Sequence, residues 1–369
     1  NFLINNKTTL LINSRFDKLT ILKLIILSKF KVLPFFHYSQ YDIRPTIKEK
    51  KLKRELLFKR LTNSISKVEA KLITECIPSA YLENFKYFYN YSSNIFNKNP
   101  KNIFTTTSHL DDEILKFSLL RWGKTSRPNI LISQHGGNYS ISNQFGLGYH
   151  DYEISKKYYT WGYKSRKKDV VSNAQQIFDK VKRYNKNKNL YKRKFLTFVL
   201  GPNISIDFQR YVYQNVNYEY IYRNREEFVK KYKKKKQIIF KKYYLKRYPE
   251  QDTDNQIIKK INIKKNQLTN KFEIIYNSKI LIFDYFSTMF FEIINMNIPF
   301  IFILDEKNFY FSSTGIKLIK FLKKNNLIFK KGENAAIFLN KINNFEKWWN
   351  NINKKELNNI KKEIANIRF

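Results

Sequence analysis

Short apolar runs and amphipathic segments alternate along most of the chain from residue 99 onward. The runs are rich in β-branched and aromatic residues and end at turn residues, which predicts buried strands, and the segments between them have helical spacing. We predict strands at residues 102–106, 129–133, 157–161, 195–200, 237–240, 280–283, 299–304 and 327–329. Strands that alternate with helices are typical of parallel sheets, so the pattern predicts an α/β fold.

Helical patterns surround these strands. Residues 44–81 carry apolar residues at three- and four-residue steps, which is typical of one scaffold helix or a pair of helices. A capping pattern at residues 108–111 precedes the next predicted helix. We predict further helices at residues 112–122, 225–236, 267–276, 315–325 and 333–342, and a closing helix from residue 345 onward.

The distribution of apolar, amphipathic and polar segments along the chain predicts four parts. These are a helical and partial N-terminal region at 1–98, an N-terminal α/β domain at 99–194 with a polar linker at 164–194, a C-terminal α/β domain at 195–344, and the closing helix at 345–369. The chain begins with Asn1 rather than Met, so we expect the N-terminal domain to be incomplete.

The stretch from residue 277 to residue 304 contains a strand, a short loop, a helix and a second strand. Ser287 and Thr288 are favourable N-cap residues, so the helix is expected to begin directly after the loop. Unpaired backbone N–H groups and the positive end of the helix dipole then lie at the carboxyl edge of the first strand. We therefore predict a phosphate-binding site at this edge.

Glu292 is one turn into that helix, among apolar neighbours. A capping-box acid would stand three residues after Ser287, at position 290, which is Phe. Because Glu292 has no local capping role, we predict that its carboxylate points to the ligand edge and accepts hydrogen bonds from a pair of sugar hydroxyls. The alternative is a partly exposed helix glutamate.

The second candidate site is the run Gln134-His135-Gly136-Gly137, which directly follows the strand at 129–133. Two glycines at this point let the backbone approach a ligand closely or turn with positive φ. His135 can exchange a proton near neutral pH, so we interpret it as a candidate general base, with a structural histidine as the alternative.

Charged residues beside other strand ends are further candidates. Asp112 and Glu113 open a helix at the edge of the strand at 102–106 and are rival bases, whereas Asp111 is better explained as a helix cap. Glu153 is either a ligand-edge residue or a simple loop acid. Lys241 begins a cationic run just past the strand at 237–240.

The charge balance is strongly basic, with 70 Lys and Arg residues against 30 Asp and Glu residues in 369. Since Asn, Ile, Tyr and Phe are also abundant, we attribute part of the excess to the codon usage of an AT-rich genome. The remainder favours anionic partners such as nucleotide sugars, acidic glycans or the inner leaflet of a membrane. Nucleic acid is not expected, because no zinc or RNA-binding motif accompanies the charge.

Cys76 is the only cysteine, which excludes a disulfide framework and favours a reducing cytoplasm, with peripheral contact at the inner membrane face as an option. No metal or other cofactor is expected, because no cluster has metal-ligand spacing. The apolar stretch at 19–36 is interrupted by Lys23, Lys29 and Lys31, and the one at 277–304 contains acidic residues, so neither is a membrane span.

The block from residue 284 to residue 299 is similar to the C-terminal domains of glycosyltransferases of the GT-B type. Those domains carry a strand, a Ser/Thr-rich turn, a helix with an early Glu and a strand opened by Pro. The matching residues here are Asp284, Ser287, Thr288, Glu292 and Pro299. The resemblance implies two Rossmann-like domains that face a cleft, with these residues at the nucleotide-sugar site.

From residue 70 to residue 369, the chain also resembles a bacterial family designated as transferases and encoded among genes for surface carbohydrates and sialic-acid-like sugars. The shared pattern is His109-x-Asp111-Asp112-Glu113-Ile114-x-Lys116-Phe117, Gln134-His135-Gly136-Gly137-x-Tyr139, Glu153, Tyr158-x-Thr160-Trp161-Gly162 and the block at 284–299. It implies substrate contacts for the second motif, including Tyr139. Lys241 stands where the family has Arg, which keeps the charge and loses bidentate phosphate binding.

We therefore expect a metal-independent glycosyltransferase that moves a sugar from a nucleotide-activated donor to a surface-glycan, lipid-linked or protein acceptor. Its general base would lie in the N-terminal domain. The alternative is a non-catalytic nucleotide- or carbohydrate-binding protein, or a decayed transferase.

Overall fold

The computed structural model describes residues 4–35, 47–96, 98–143, 146–172, 176–188, 191–200, 218–241, 268–269 and 272–366. The first sheet contains β1 (Thr9–Ile12), β2 (Val32–Phe35), β3 (Asn102–Thr105), β4 (Asn129–Ser133), β5 (Lys157–Thr160) and β6 (Asp169–Val171). The second contains β7 (Phe195–Val199), β8 (Ile238–Lys241), β9 (Leu268–Thr269), β10 (Ser278–Phe283), β11 (Phe300–Ile303) and β12 (Ile328–Phe329). The α/β fold is confirmed.

Helices occur between and beyond these strands. They are α1 (Lys18–Leu27), α2 (Ile47–Leu61), α3 (Lys67–Cys76), α4 (Phe85–Ile95), α5 (Ser108–Asp111), α6 (Glu113–Trp122), α7 (Gly146–Ile154), α8 (Gln176–Asn187), α9 (Tyr218–Lys231), α10 (Thr288–Asn295), α11 (Ser313–Lys324), α12 (Gly332–Asn340), α13 (Phe345–Asn350) and α14 (Lys354–Ile364). Among the described residues, none of these helices is long and apolar enough to cross a membrane.

Both sheets are parallel and change winding direction once. The first has the order β2-β1-β3-β4-β5-β6 and the second the order β12-β11-β10-β7-β8-β9. In the second sheet β7 pairs with β8 on one side and with β10 on the other, both in parallel. Ligands of open α/β sheets bind outside the carboxyl ends of the strands at such a reversal, so the ends of β7 and β10 define the expected ligand edge.

The chain divides into two compact units, residues 1–133 with 155–157, and residues 134–154 with 158–369. In the first unit a buried core forms around Leu10, Ile103 and Trp122. In the second, the buried strands β10 and β11 pack with α10 in a larger core rich in phenylalanine.

Three segments differ from the predicted elements. Residues 164–194, predicted as a linker, contain β6 and α8, and α8 buries Ile177, Val181 and Tyr184 at helical spacing. The helix predicted at 267–276 is wrong, since the described part forms β9 and a 3₁₀ turn at Phe272–Ile275. The basic helix predicted at 225–236 begins earlier, as α9. The cations at 242–247 lie outside the described residues.

Candidate functional site

The N-terminus of α10 lies where the sequence places it. Ser287 is the N-cap, and its Oγ atom accepts a hydrogen bond of 3.3 Å from the Phe290 N–H. β10, which is buried except at Lys279, leads into the loop, so the first turn of the helix lies at the carboxyl edge of the sheet, where the strand order reverses between β10 and β7. Its first backbone N–H groups and the Thr288 hydroxyl are suited to binding a phosphate.

Asp284, the first residue after β10, forms a buried ion pair. Its Oδ2 atom lies 2.7 Å from Nε and 2.5 Å from Nη2 of Arg225 on α9, and both side chains are almost completely buried. The guanidinium neutralises the carboxylate, which removes the large cost of a lone buried charge. The structure thus places Asp284 against Arg225, which in the sequence is one cation among many in a predicted basic helix and was not a candidate site residue.

Glu292 is also buried and paired. Its Oε1 atom lies 2.7 Å from Nζ of Lys180 on α8, whose side chain is 34% exposed. Burial raises the pKa of Glu292, and the Lys180 ammonium opposes that shift. Only Oε1 has a hydrogen bond among the described residues, so Oε2 retains its capacity to accept one.

Lys241, the last residue of β8, lies at the same carboxyl edge. Burial lowers the pKa of Lys241, the charge of Glu273 opposes this, and the charge of Lys180 adds to the lowering. Two ammonium groups, Lys180 and Lys241, therefore lie close enough to repel each other. An anion bound near both would relieve that repulsion.

The Gln134-His135-Gly136-Gly137 loop is held by Gln134 and Trp161. The Gln134 amide donates to the Gly136 carbonyl at 2.7 Å and accepts from the Trp161 N–H at 3.2 Å. The Trp161 indole Nε1 donates to the Gln134 carbonyl at 3.1 Å. Gln134 is buried, so the structure gives it a positioning role beside His135.

This loop packs on α10. A Cβ atom built on Gly137 would lie 1.9 Å from Cδ2 of Phe291, and the Asn138 amide donates to the Phe286 carbonyl at 3.1 Å. Gly137 has φ −82°, so close approach to the Phe291 ring, rather than positive φ, explains this glycine. The structure therefore brings the two candidate motifs together within the second unit.

His135, Tyr139 and Asp151 form a hydrogen-bonded chain. The Tyr139 hydroxyl lies 2.6 Å from Nδ1 of His135 and 3.1 Å from Oδ2 of Asp151, which is fully buried on α7. The tyrosine has a single proton, so when it donates to Asp151 its oxygen accepts from a protonated Nδ1. Nε2 of the partly exposed imidazole is then the basic nitrogen.

Asp151 lies on the same helix as Glu153, the acid that the sequence offered as a candidate. Glu153 is exposed, and its backbone carbonyl accepts from Lys168 Nζ at 3.0 Å. Asp151 is one of several polar residues of α7, and no apolar periodicity in the sequence marked it as buried.

The rival bases Asp112 and Glu113 lie in the first unit. Asp112, not Asp111, caps α6, and its carboxylate accepts from the Leu115 N–H at 3.1 Å. Glu113 accepts from the Tyr81 hydroxyl at 2.5 Å and pairs with Lys116 at 2.7 Å. Both carboxylates therefore have local structural partners.

The neighbouring glycines of the loop provide a matched test of its packing. Gly137→Ala should lower the free energy of unfolding by about 1–3 kcal/mol, because the methyl group overlaps the buried Phe291 ring. Gly136→Ala should leave stability within about 1 kcal/mol, since its Cβ would be 3.7 Å from Tyr139 and 3.8 Å from Thr288. Chemical denaturation measures both, and equal effects would show that the loop does not rest on Phe291.

The second sheet is parallel, and its strand order reverses between β10 and β7. Together with the Gln134–Gly137 loop, which packs on α10, it defines an α/β protein with a candidate ligand edge in its second unit. The chain belongs to the LIC12162 family transferases, whose family model matches residues 1–365. It is therefore a transferase. No curated protein matches the chain.

Proposed function

We propose that the protein is a metal-independent glycosyltransferase of the GT-B type. It would move a sugar from a nucleotide-activated donor to a surface-glycan, lipid-linked or protein acceptor. The observation that supports this most strongly is the His135–Tyr139–Asp151 chain, held beside the N-terminus of α10 by the packing of Gly137 on Phe291. A base and an anion-binding helix end in one place suit transfer from a phosphate leaving group.

The donor would bind at the carboxyl edge of the second sheet. The first turn of α10 would bind its phosphates, with Lys180 and Lys241 as counter-charges. Glu292 would keep Oε1 on Lys180 and accept a hydrogen bond from a ribose hydroxyl at Oε2. Lys180 then has two roles, since it both orients Glu292 and faces the anion.

In the transfer step, Nε2 of His135 would take the proton of the acceptor hydroxyl. The acceptor oxygen forms a bond to the anomeric carbon, the bond from that carbon to the phosphate oxygen breaks, and the nucleotide leaves with the bonding electrons. The imidazolium that results is stabilised through Tyr139 by the buried Asp151 carboxylate. This division of roles separates the donor contacts of α10 from the base.

Glu292→Gln tests the donor site. A charge-assisted hydrogen bond contributes about 1.5–3 kcal/mol, so the variant should bind the donor roughly tenfold or more weakly. Calorimetric titration of a panel of nucleotide sugars into wild type and variant measures this. Glu333→Gln, at an exposed carboxylate paired with Lys231, is the matched control and should bind like wild type. Unchanged donor affinity with lowered stability would make Glu292 structural.

The same variant has a pH signature. Burial raises the pKa of Glu292 above its usual 4.5, so between 4.5 and the raised value the folded state binds more protons than the unfolded state. The stabilisation that protonated Glu292 contributes to the folded state is therefore fully present below pH 4.5. It is lost as the pH rises through the pKa that Glu292 has in the folded protein. Glu292→Gln should lack this fall in denaturation measured across the acid range, and an identical pH profile would contradict a buried carboxyl group.

A further inference from the structure

Helix α1 and the turn after it carry apolar side chains that the first unit leaves exposed. None of the ten residues of α1 is buried. The exposed fractions are 59% for Leu19, 52% for Leu22, 60% for Ile26, 80% for Leu27 and 61% for Phe30. Steps of three and four residues place most of these side chains on one side of the helix, and we call the five residues the α1 face.

Lysines surround the α1 face. Lys18, Lys23, Lys29 and Lys31 are all exposed, and no Asp or Glu occurs from residue 18 to residue 31. The acid next to this segment, Asp17, is the N-cap of α1 and accepts hydrogen bonds from the Leu19 and Thr20 N–H groups. A short helix with exposed leucine and isoleucine, an aromatic residue at its end and four exposed lysines is suited to lie in the interface of an anionic bilayer. The positive charge of these lysines favours an anionic partner, and the exposed apolar side chains favour one with an accessible hydrocarbon layer.

The turn after α1 contains two consecutive residues in the left-handed region of backbone conformation. Lys29 and Phe30 both have positive φ, 51° and 60°, a region that bulky L-residues disfavour. Hydrogen bonds from the Lys29 N–H to the Ile26 carbonyl and from the Phe30 N–H to the Ile25 carbonyl hold the turn, at 3.0 and 2.9 Å. The turn is thus closed by backbone hydrogen bonds at the end of the helix, and it leaves the Phe30 ring largely exposed.

Helix α3 of the same unit is a useful contrast. It also exposes apolar residues, with Val68 at 70% and Leu72 at 58%. It carries Glu69 and Glu75 beside Lys67 and Lys71, so its charge is balanced. An anionic surface would therefore select α1 over α3, although both present leucine to solvent.

We propose that the α1 face binds the surface of an anionic lipid bilayer as a peripheral contact. A helix of ten residues is too short to span a bilayer, so the contact proposed for α1 is confined to the interface. The proposal does not depend on the glycosyltransferase reaction, and it holds for any acceptor.

A polarity-sensitive fluorophore tests insertion directly. Cys76 is the only cysteine, so Cys76→Ser provides a thiol-free background in which Leu27→Cys can be labelled. Adding mixed phosphatidylcholine–phosphatidylglycerol vesicles should shift the emission of the label at position 27 to shorter wavelength, and phosphatidylcholine vesicles should not. A label at Leu72→Cys should not shift. Equal shifts at both positions, or none at position 27, would overturn the proposal.

Vesicle sedimentation separates the α1 face from the diffuse charge of the protein. Leu22→Ser/Ile26→Ser should weaken binding about tenfold or more, because two apolar side chains no longer enter the bilayer. Lys23→Ser/Lys29→Ser should also weaken it about tenfold or more, at roughly fivefold per lysine. The controls Val68→Ser/Leu72→Ser and Lys67→Ser/Lys71→Ser should bind within about twofold of wild type.

Two results would contradict the proposal. Equal losses in the α1 and α3 lysine variants would show that net charge alone attracts the vesicles. Unchanged vesicle binding by Leu22→Ser/Ile26→Ser, together with conversion of a dimer to a monomer in light scattering, would show that a second copy of the chain covers the α1 face. Circular dichroism confirms that each variant is folded, which is expected because every substituted side chain is exposed.

Discussion

His135→Ala should lower turnover by about 10²- to 10⁴-fold while leaving donor affinity nearly unchanged. The imidazole is the proposed base, and the proposed donor contacts are α10, Lys180 and Lys241, so the two functions should separate in this variant. The fall in rate at acid pH, where Nε2 is protonated and cannot act as a base, should disappear with the side chain. Turnover and calorimetric affinity measured on the same preparation check both parts.

Further variants distinguish a catalytic role of His135 from a structural one. His150→Ala removes an exposed histidine of α7 and should retain turnover close to wild type. Tyr139→Phe deletes the hydroxyl between His135 and Asp151, and should reduce turnover less than His135→Ala while shifting the acid limb of the pH profile. If His135→Ala stays active while Asp112→Asn or Glu113→Gln is inactive, the base lies in the first unit. Loss of folding in His135→Ala would show a structural histidine.

Gly162→Ala should be among the most destabilising single changes in the second unit. Gly162 has φ +82°, and an added Cβ would lie 1.9 Å from the Asn366 carbonyl oxygen. The Asn366 N–H also donates to the Trp161 carbonyl at 2.9 Å, so the segment after α14 cannot move away without losing that bond. Positive φ and overlap with backbone together cost roughly 2–5 kcal/mol. Chemical denaturation measures the change.

Gly123→Ala is the control for this prediction. Gly123 has φ −58°, and its Cβ would meet the Leu119 carbonyl oxygen at 3.3 Å, a tight but adjustable contact. Its stability should stay within about 1 kcal/mol of wild type. If Gly162→Ala is equally mild, the segment after α14 does not rest on the Trp161-Gly162 turn. Because Trp161 also holds Gln134, the Gly162 variant should lose turnover as well as stability.

The elements that carry the site could be predicted from the sequence. The strand predicted at 129–133 matches β4, and those predicted at 195–200 and 280–283 overlap β7 and β10. These runs are short, apolar on both faces and followed by turn or loop residues, which is typical of strands in parallel sheets. The cap at Ser287 follows from local chemistry alone.

The partners of the site residues could not be predicted, because they come from distant parts of the chain. Lys180 lies 112 positions before Glu292, in a segment whose lysines and asparagines hid the buried face of α8. Arg225 lies 59 positions before Asp284 and looks like one cation among many in a basic helix. Such pairs depend on how the sheet orders its strands, which periodicity does not report.

The role of Gly137 is a second feature that could not be predicted from the sequence. Its sequence context allowed close approach to a ligand or a turn with positive φ, and the structure instead shows close approach to the Phe291 ring. Phe291 was predicted only as part of an apolar helix. That contact, which joins two motifs more than 150 positions apart, could not be inferred from either motif alone.

The location of the donor site is tested most directly by labelling with a photoreactive nucleotide sugar, followed by peptide mass spectrometry. The label should appear on peptides that contain residues 284–295 or 134–139, and an excess of the unmodified nucleotide sugar should suppress it. Labelling confined to other peptides, such as the basic segment at 230–236, with the same competition would place the donor elsewhere and contradict the proposed site.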